Sequence, residues 1–343
     1  MEVCEKKGKY KKIISNFNTE KGTFCALCNT KSLFEYYGYK LSEAMYCGLS
    51  GYLGFFYTRE SLESKEILYG RIGNHDIILK NLCNALNIRL KERTIYDDEE
   101  AWILAKESLN KNIPLLLCVD DFYLEYHFYF NKIHYLRVAD LIGFDEKEGV
   151  VLLYDIEKRT NSIENFKKAR NSEVNGIKNN NMWYEFEFPS ELPSLIEPIK
   201  NGINQSVKMM LDEESNETRF YGITGIRTFA GDVGEWVKKW GEEELYANIE
   251  NMYVQINRPG GPTISRSLFS EFLFEASDII NNKELYKIGR EFKEISKAWE
   301  IIGNLFFKWG AGAYDVIPRI QARLLKIADK EERLFAALRN IVI

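Results

Sequence analysis

Cys25 lies in Gly22-Thr23-Phe24-Cys25-Ala26-Leu27-Cys28 and opens a helical stretch, Asn29 to Tyr37, that stops at Gly38. At a helix start the unpaired backbone N–H groups and the positive end of the macrodipole favour thiolate over thiol, and the thiolate is the nucleophile. A histidine that takes the thiol proton, steadied by a carboxylate, would complete a pair able to attack an acyl group. Three histidines are available. His75, in Gly73-Asn74-His75-Asp76, reads as a helix-entry residue. His127 and His134 flank a hairpin centred on Asn131-Lys132, and His134 is nearer the strand that ends in Gly143-Phe144-Asp145, so it is the first choice of base and His127 the second. Asp155 ends the neighbouring strand before a polar turn; it is the natural orienting carboxylate, although alone it reads equally well as an ordinary strand end. Cys28 completes a CxxC, but with no second CxxC or CxxxH it reads as a buried helix residue, and no metal is expected.

The elements that must hold these residues come from a mixed α+β region up to about residue 190. Helices are expected about Cys25 to Tyr37, Ser42 toward Cys47, Asp76 to Leu86, Glu99 to Leu109 and Ser162 to Arg170. Strands are expected over Ile113 to Val119, Tyr135 to Phe144, Val150 to Asp155 and Trp183 to Phe188, with Asn171 to Asn181 a polar, mobile connection. Beyond Pro198 nearly everything has helical period, as in Leu268, Phe269, Phe272, Ala276 and Ile279 or Ile288, Phe292, Ile295 and Trp299. The chain therefore divides into domains 1–190 and 191–343. At the helix entrance Arg258-Pro259-Gly260-Gly261-Pro262, either an anion cradle or a plain Pro/Gly turn fits.

Composition narrows the partners. With 46 basic and 51 acidic residues among 343, the net charge of -5 does not favour a nucleic-acid backbone. The charged start of the chain lacks a secretory core, no window suits a membrane span, and six cysteines, all in the first 118 residues, fit reduced thiols; the expected location is the cytoplasm. No nucleotide-binding glycine motif is present.

Several of these features, taken together, resemble the butirosin-biosynthesis-type (BtrH-like) acyltransferases. The cysteine lies thirteen residues before the glycine that ends its helix, as in that family. Leu41-Ser42-Glu43-Ala44, the glycine-rich run Gly48 to Tyr57, and Asp121-Phe122-Tyr123-Leu124-Glu125-Tyr126-His127 are similar to its motifs. So are Gly222 to Arg227 and Gly260-Gly261-Pro262 through Arg266, Phe272 and Glu275-Ala276. The resemblance covers nearly the whole chain and implies a papain-like cysteine peptidase fold with a C-terminal helical domain. It also implies a Cys25, His134, Asp155 triad. Family members commonly carry histidine before the cysteine and again six residues before the glycine of a GYD sequence; this chain has Phe24 and Arg137 there. Arg137 thus leaves open a non-catalytic homologue beside an active enzyme. In related peptidases a glutamine about six residues before the nucleophile donates to the oxyanion; here Thr19 holds that place, and Asn18 with the Cys25 backbone N–H is the expected oxyanion hole.

The activity implied is amide formation: Cys25 takes an acyl group from the thioester of an acyl or peptidyl carrier protein and a small amine resolves the acyl-enzyme. A thiotemplated, cysteine-protease-like amide synthetase is the close variant, and a peptidase or hydrolase of the same fold the alternative. No cofactor is expected, because the carrier delivers its own phosphopantetheine arm. An acidic carrier would dock on a local basic patch, with the run Lys6 to Lys12 one candidate and a solvated tail its simpler explanation.

Overall fold

The computed structural model describes residues 10–59 and 75–342. Cys4, the first part of the Lys6 to Lys12 run and the side chain of His75 lie outside the described residues. The chain forms two compact units. One holds the described residues through Glu43 together with Leu86–Pro193, and the other holds those between Ala44 and Ala85 together with Ser194 onward. The sequence reading places 44–85 with the first domain, but these residues cluster with the second unit. Their glycine-rich run explains why: a Cβ on Gly48 would lie 2.1 Å from the Phe272 ring, and the Gly54 carbonyl accepts from Arg266 at 2.9 Å.

The first unit mixes helices with an antiparallel sheet. Its strands are β1 (Lys11–Ile13), β2 (Arg89–Arg93), β3 (Leu115–Asp120), β4 (Leu136–Asp145), β5 (Val150–Asp155), β6 (Glu157–Ser162) and β7 (Trp183–Glu187). They run in the order β2-β7-β3-β4-β5-β6, and β1 pairs with the far end of β4. Leu115, Leu117, Val119, Leu141, Phe144, Val151 and Leu153 are buried, the near-continuous apolar runs expected of strands covered by helices. The covering helices are α1 (Cys25–Tyr36), α2 (Asp98–Asn110) and α3 (Ile163–Arg170). Asp97 caps α2 by accepting from the Glu100 N–H at 2.7 Å, and Gly38, at φ +97°, ends α1 in a conformation that favours glycine.

Two connections differ from expectation. Residues 171–181 form an ordered hairpin, Glu173–Val174 against Ile177–Lys178, around Asn175-Gly176 with both φ angles positive, the pair that a tight hairpin turn requires. The buried Asn179 and Asn181 amides then donate to the Cys118 and Ile95 carbonyls. Residues 124–135, by contrast, form no hairpin between His127 and His134; they are successive turns, with the Asn131 N–H returning to the Phe122 carbonyl at 2.9 Å.

The second unit is mainly helical: α4 (Ile196–Leu211), α5 (Gly222–Val233), α6 (Glu242–Asn257), α7 (Pro262–Ile280), α8 (Lys283–Gly310) and α9 (Ile317–Val342), with a small strand pair, Phe56–Thr58 against Arg219–Tyr221. Phe229, Trp236, Phe306 and Trp309 pack at ring-centroid distances near 6 Å in its core. Gly260-Gly261-Pro262 is the tight entrance to α7: Gly260 has φ +83°, a Cβ on Gly261 would lie 2.2 Å from the Gln255 carbonyl, and Pro262 opens the helix. The turn is closed by the chain itself. Among the described residues no helix is long and apolar enough to cross a membrane.

Candidate active site

The approach to α1 is fixed before Cys25 is reached. The Thr23 and Phe24 N–H groups donate to the Glu43 carboxylate at 3.0 and 2.8 Å, and the Gly22 N–H donates to the Ile156 carbonyl at 2.8 Å. Burial raises the Glu43 pKa against the pull of those donors. Gly22 is needed for close approach, since a Cβ there would lie 2.2 Å from that of Cys28. Cys25 is the first residue of α1 and partly exposed; Cys28, one turn on, is buried, and burial pushes its thiol pKa far up. Cys28 is therefore a neutral thiol packed beneath the helix start.

Arg137 is what Cys25 meets. Its guanidinium lies within electrostatic reach of Cys25, while Nη1 donates to Asp155 Oδ2 at 2.9 Å and Nε lies 3.4 Å from Asp121 Oδ1. Register brings the pair together: Asp140 faces Tyr154 across β4 and β5, so Asp155 is the diagonal neighbour of Arg137. Burial works against the charged guanidinium, but the Cys25 thiol, Asp155 and Asp121 outweigh it and carry its pKa above the ordinary arginine value. Burial raises Asp155 in turn, opposed by Arg137 and by the Tyr126 hydroxyl, which donates to Oδ2 at 3.0 Å.

The sequence expects Cys25, His134 and Asp155 to meet, and the structure does not bring these three together. His134 precedes β4, its side chain 46% exposed, with Nδ1 2.7 Å from Asp120 Oδ2 and its ring stacked on Phe122 at 4.0 Å. Asp120 also accepts from the Phe122 and Tyr135 N–H groups, so this pair closes the turn after β3. Strand alternation accounts for the separation, because residues 134 and 137 of an extended chain face opposite ways. His127 sits beside Asp121, Nδ1 to Oδ2 3.5 Å, and its Nδ1 accepts the Tyr129 N–H at 3.2 Å. Burial, with Arg137 and Arg159 nearby, pushes its pKa down to about 4, so it is neutral near pH 7.

Asn18 is likewise directed elsewhere. Its amide donates to Glu35 at 3.0 Å and its carbonyl accepts from the Glu20 N–H at 3.0 Å. Glu35 is in the last turn of α1, roughly 15 Å of helix rise from Cys25, so the amide does not face the thiol in this arrangement. In the first turn of α1 the Leu27 and Cys28 N–H groups donate to the Phe24 carbonyl at 3.0 and 2.9 Å, which leaves those of Cys25 and Ala26 as the donors at the helix start.

Sequence reasoning passed over Glu43, Asp121 and Tyr126, although two motifs contained them. Glu43 is the acid of Leu-Ser-Glu-Ala, and Asp121, Tyr126 and His127 belong to the Asp121–His127 motif, which wraps the Arg137–Asp155 pair. Asp121 is buried and Asp140 wholly so; burial pushes Asp121 up to about 7, opposed by Arg137 and aided by Asp155 and Asp120, and raises Asp140 well above the usual carboxylate range. Among the described residues no group of His, Cys, Asp and Glu could hold a metal ion.

A family model described as Butirosin biosynthesis protein H, N-terminal, matches residues 25–156, a span from Cys25 to just past Asp155. A second, described as a Domain of unknown function (DUF4872), matches residues 164–338. No curated protein matches the chain. With one model over the site and the other over half of its length, the chain belongs to the butirosin biosynthesis protein H-like family that carries this C-terminal domain.

Proposed function

We propose that the chain is an amide-forming acyltransferase of antibiotic biosynthesis, with Cys25 as nucleophile on a papain-like arrangement and Arg137 in the place of the usual histidine. The observation that carries the reading is the Arg137 guanidinium, bonded to Asp155 at 2.9 Å and within electrostatic reach of Cys25. An arginine stays protonated, so it stabilises a thiolate and neither accepts nor donates the proton of a conventional triad.

That limit favours a substrate whose leaving group departs without a proton. Peptide cleavage needs a proton for the departing amine, which Arg137 cannot give. A thioester needs none: the Cys25 thiolate attacks the acyl carbon, the tetrahedral oxyanion is met by first-turn N–H groups of α1, and the carrier's phosphopantetheine sulfur leaves as a thiolate. A small neutral amine then attacks the Cys25 acyl group, Cys25 departs as a thiolate beside Arg137, and the nitrogen gives up its extra proton to the phosphopantetheine thiolate released in the first step, leaving amide and carrier thiol. The acyl donor on this reading is an acyl or peptidyl carrier protein. It is tested by incubating the chain with an acylated carrier and an amine: amide product with the wild type and none with Cys25→Ala supports it. Peptide hydrolysis in place of amide formation would support the peptidase, and identical behaviour of the two proteins a binding role.

A further inference from the structure

Arg137 has two buried carboxylates, Asp121 and Asp155, and one positive charge. Asp155 is held twice, by Arg137 Nη1 at 2.9 Å and by the Tyr126 hydroxyl at 3.0 Å. Asp121 is held more loosely: its Oδ1 lies 3.4 Å from Arg137 Nε, and among the described residues neither atom finds a partner in hydrogen-bond geometry. The side chain is 3% exposed. A carboxylate buried beside two others, with one shared guanidinium and no donor of its own on Oδ1, is the member of the cluster best placed to hold a proton.

We propose that Asp121 takes up the proton that Cys25 gives up, while Arg137 exchanges the Asp121 carboxylate for the Cys25 thiolate as its partner. The inference rests on reading Cys25 as the nucleophile. In the exchange the Cys25 S–H bond breaks, an O–H bond forms on Asp121, Arg137 keeps its charge, and the net charge of the cluster is unchanged. The two groups therefore titrate as a pair. The charged and titratable groups facing Asp121 are Arg137 on β4, Asp155 on β5, Asp120 on β3, and Tyr126 and His127 on the following loop.

The test is the pH profile of Cys25 alkylation by iodoacetamide, followed by the mass of the Cys25 peptide, for the full chain and for Asp121→Asn and Asp121→Glu. The wild type is expected to rise more broadly than a single-proton curve. Asp121→Asn removes the competing charge from Arg137, so its profile should become a single step at lower pH, by about half a unit or more, while Asp121→Glu keeps the broad form. Coincident wild-type and Asp121→Asn profiles would overturn the proposal. If Asp121→Asn does not fold, a single-step wild-type curve overturns it and a broad one supports it. Alkylation needs neither carrier nor amine, so failure here is distinct from failure to form an acyl-enzyme.

Discussion

Arg266 in the second unit and Arg137 in the first both face carboxylates, yet their surroundings differ. Arg266 is fully buried and meets Glu331 with two parallel bonds of 2.9 and 2.8 Å, its remaining nitrogen donates to the Gly54 carbonyl, and the Trp299 N–H completes Glu331. Arg137 is 12% exposed, and its Nε, Asp121 Oδ1 and Asp155 Oδ1 are without hydrogen bonds among the described residues. A closed network holds a helical core in one arrangement, whereas an open one keeps unspent capacity for another group. Burial of an arginine therefore says little by itself; the completeness of its partners separates a fold residue from a site residue.

The comparison can be broken most forcefully at its structural end. Arg266→Ala leaves Glu331 buried without its partner, and urea unfolding should show a loss of about 3–5 kcal/mol; a wild-type midpoint would remove the contrast. Arg137→Ala should lower amide formation by about 10²–10³-fold, the scale of losing one preorganised charge stabiliser, whereas Arg266→Ala acts through stability alone. Single-turnover rates alongside the melts check it.

A pH series sharpens the difference. Asp121 has its pKa raised to about 7, so the folded chain holds a proton that the unfolded chain releases near pH 4. The stability this contributes is complete below the unfolded value and is lost as pH rises toward 7. Urea midpoints should fall between pH 5 and pH 8, and fall less for Asp121→Asn. The smallest effect belongs to His134: with its side chain half exposed, His134→Gln should change the single-turnover rate by less than about threefold and stability by under about 1 kcal/mol.

Much of the framework was legible, and for physical reasons. The helix start at Cys25 follows from its distance to Gly38, and the strands on either side of the turn ending at Gly149 from apolar runs broken by turn residues. Asp155 was legible as a strand end. Its partner was not, because a count back from Gly143 finds Arg137 but cannot say that its guanidinium bonds Asp155 where an imidazole is expected. Asp120 and Asp121 are adjacent, and only the turn after β3 decides that one meets His134 and the other Arg137. Asn18 stands out by spacing alone, which carries no information about the direction of its amide. The clustering of 44–85 with the second unit depends on contacts such as Gly48 against Phe272, hundreds of residues apart in sequence.

The central claim is that Arg137, rather than His134, is the working partner of Cys25. Intact mass after brief incubation with an acylated carrier protein, without amine, tests it most directly across the wild type, Cys25→Ala, Arg137→Ala and His134→Gln. The account predicts one acyl mass on the wild type and on His134→Gln, none on Cys25→Ala, and a strongly slowed adduct on Arg137→Ala. An adduct that forms normally on Arg137→Ala but is lost from His134→Gln would contradict it.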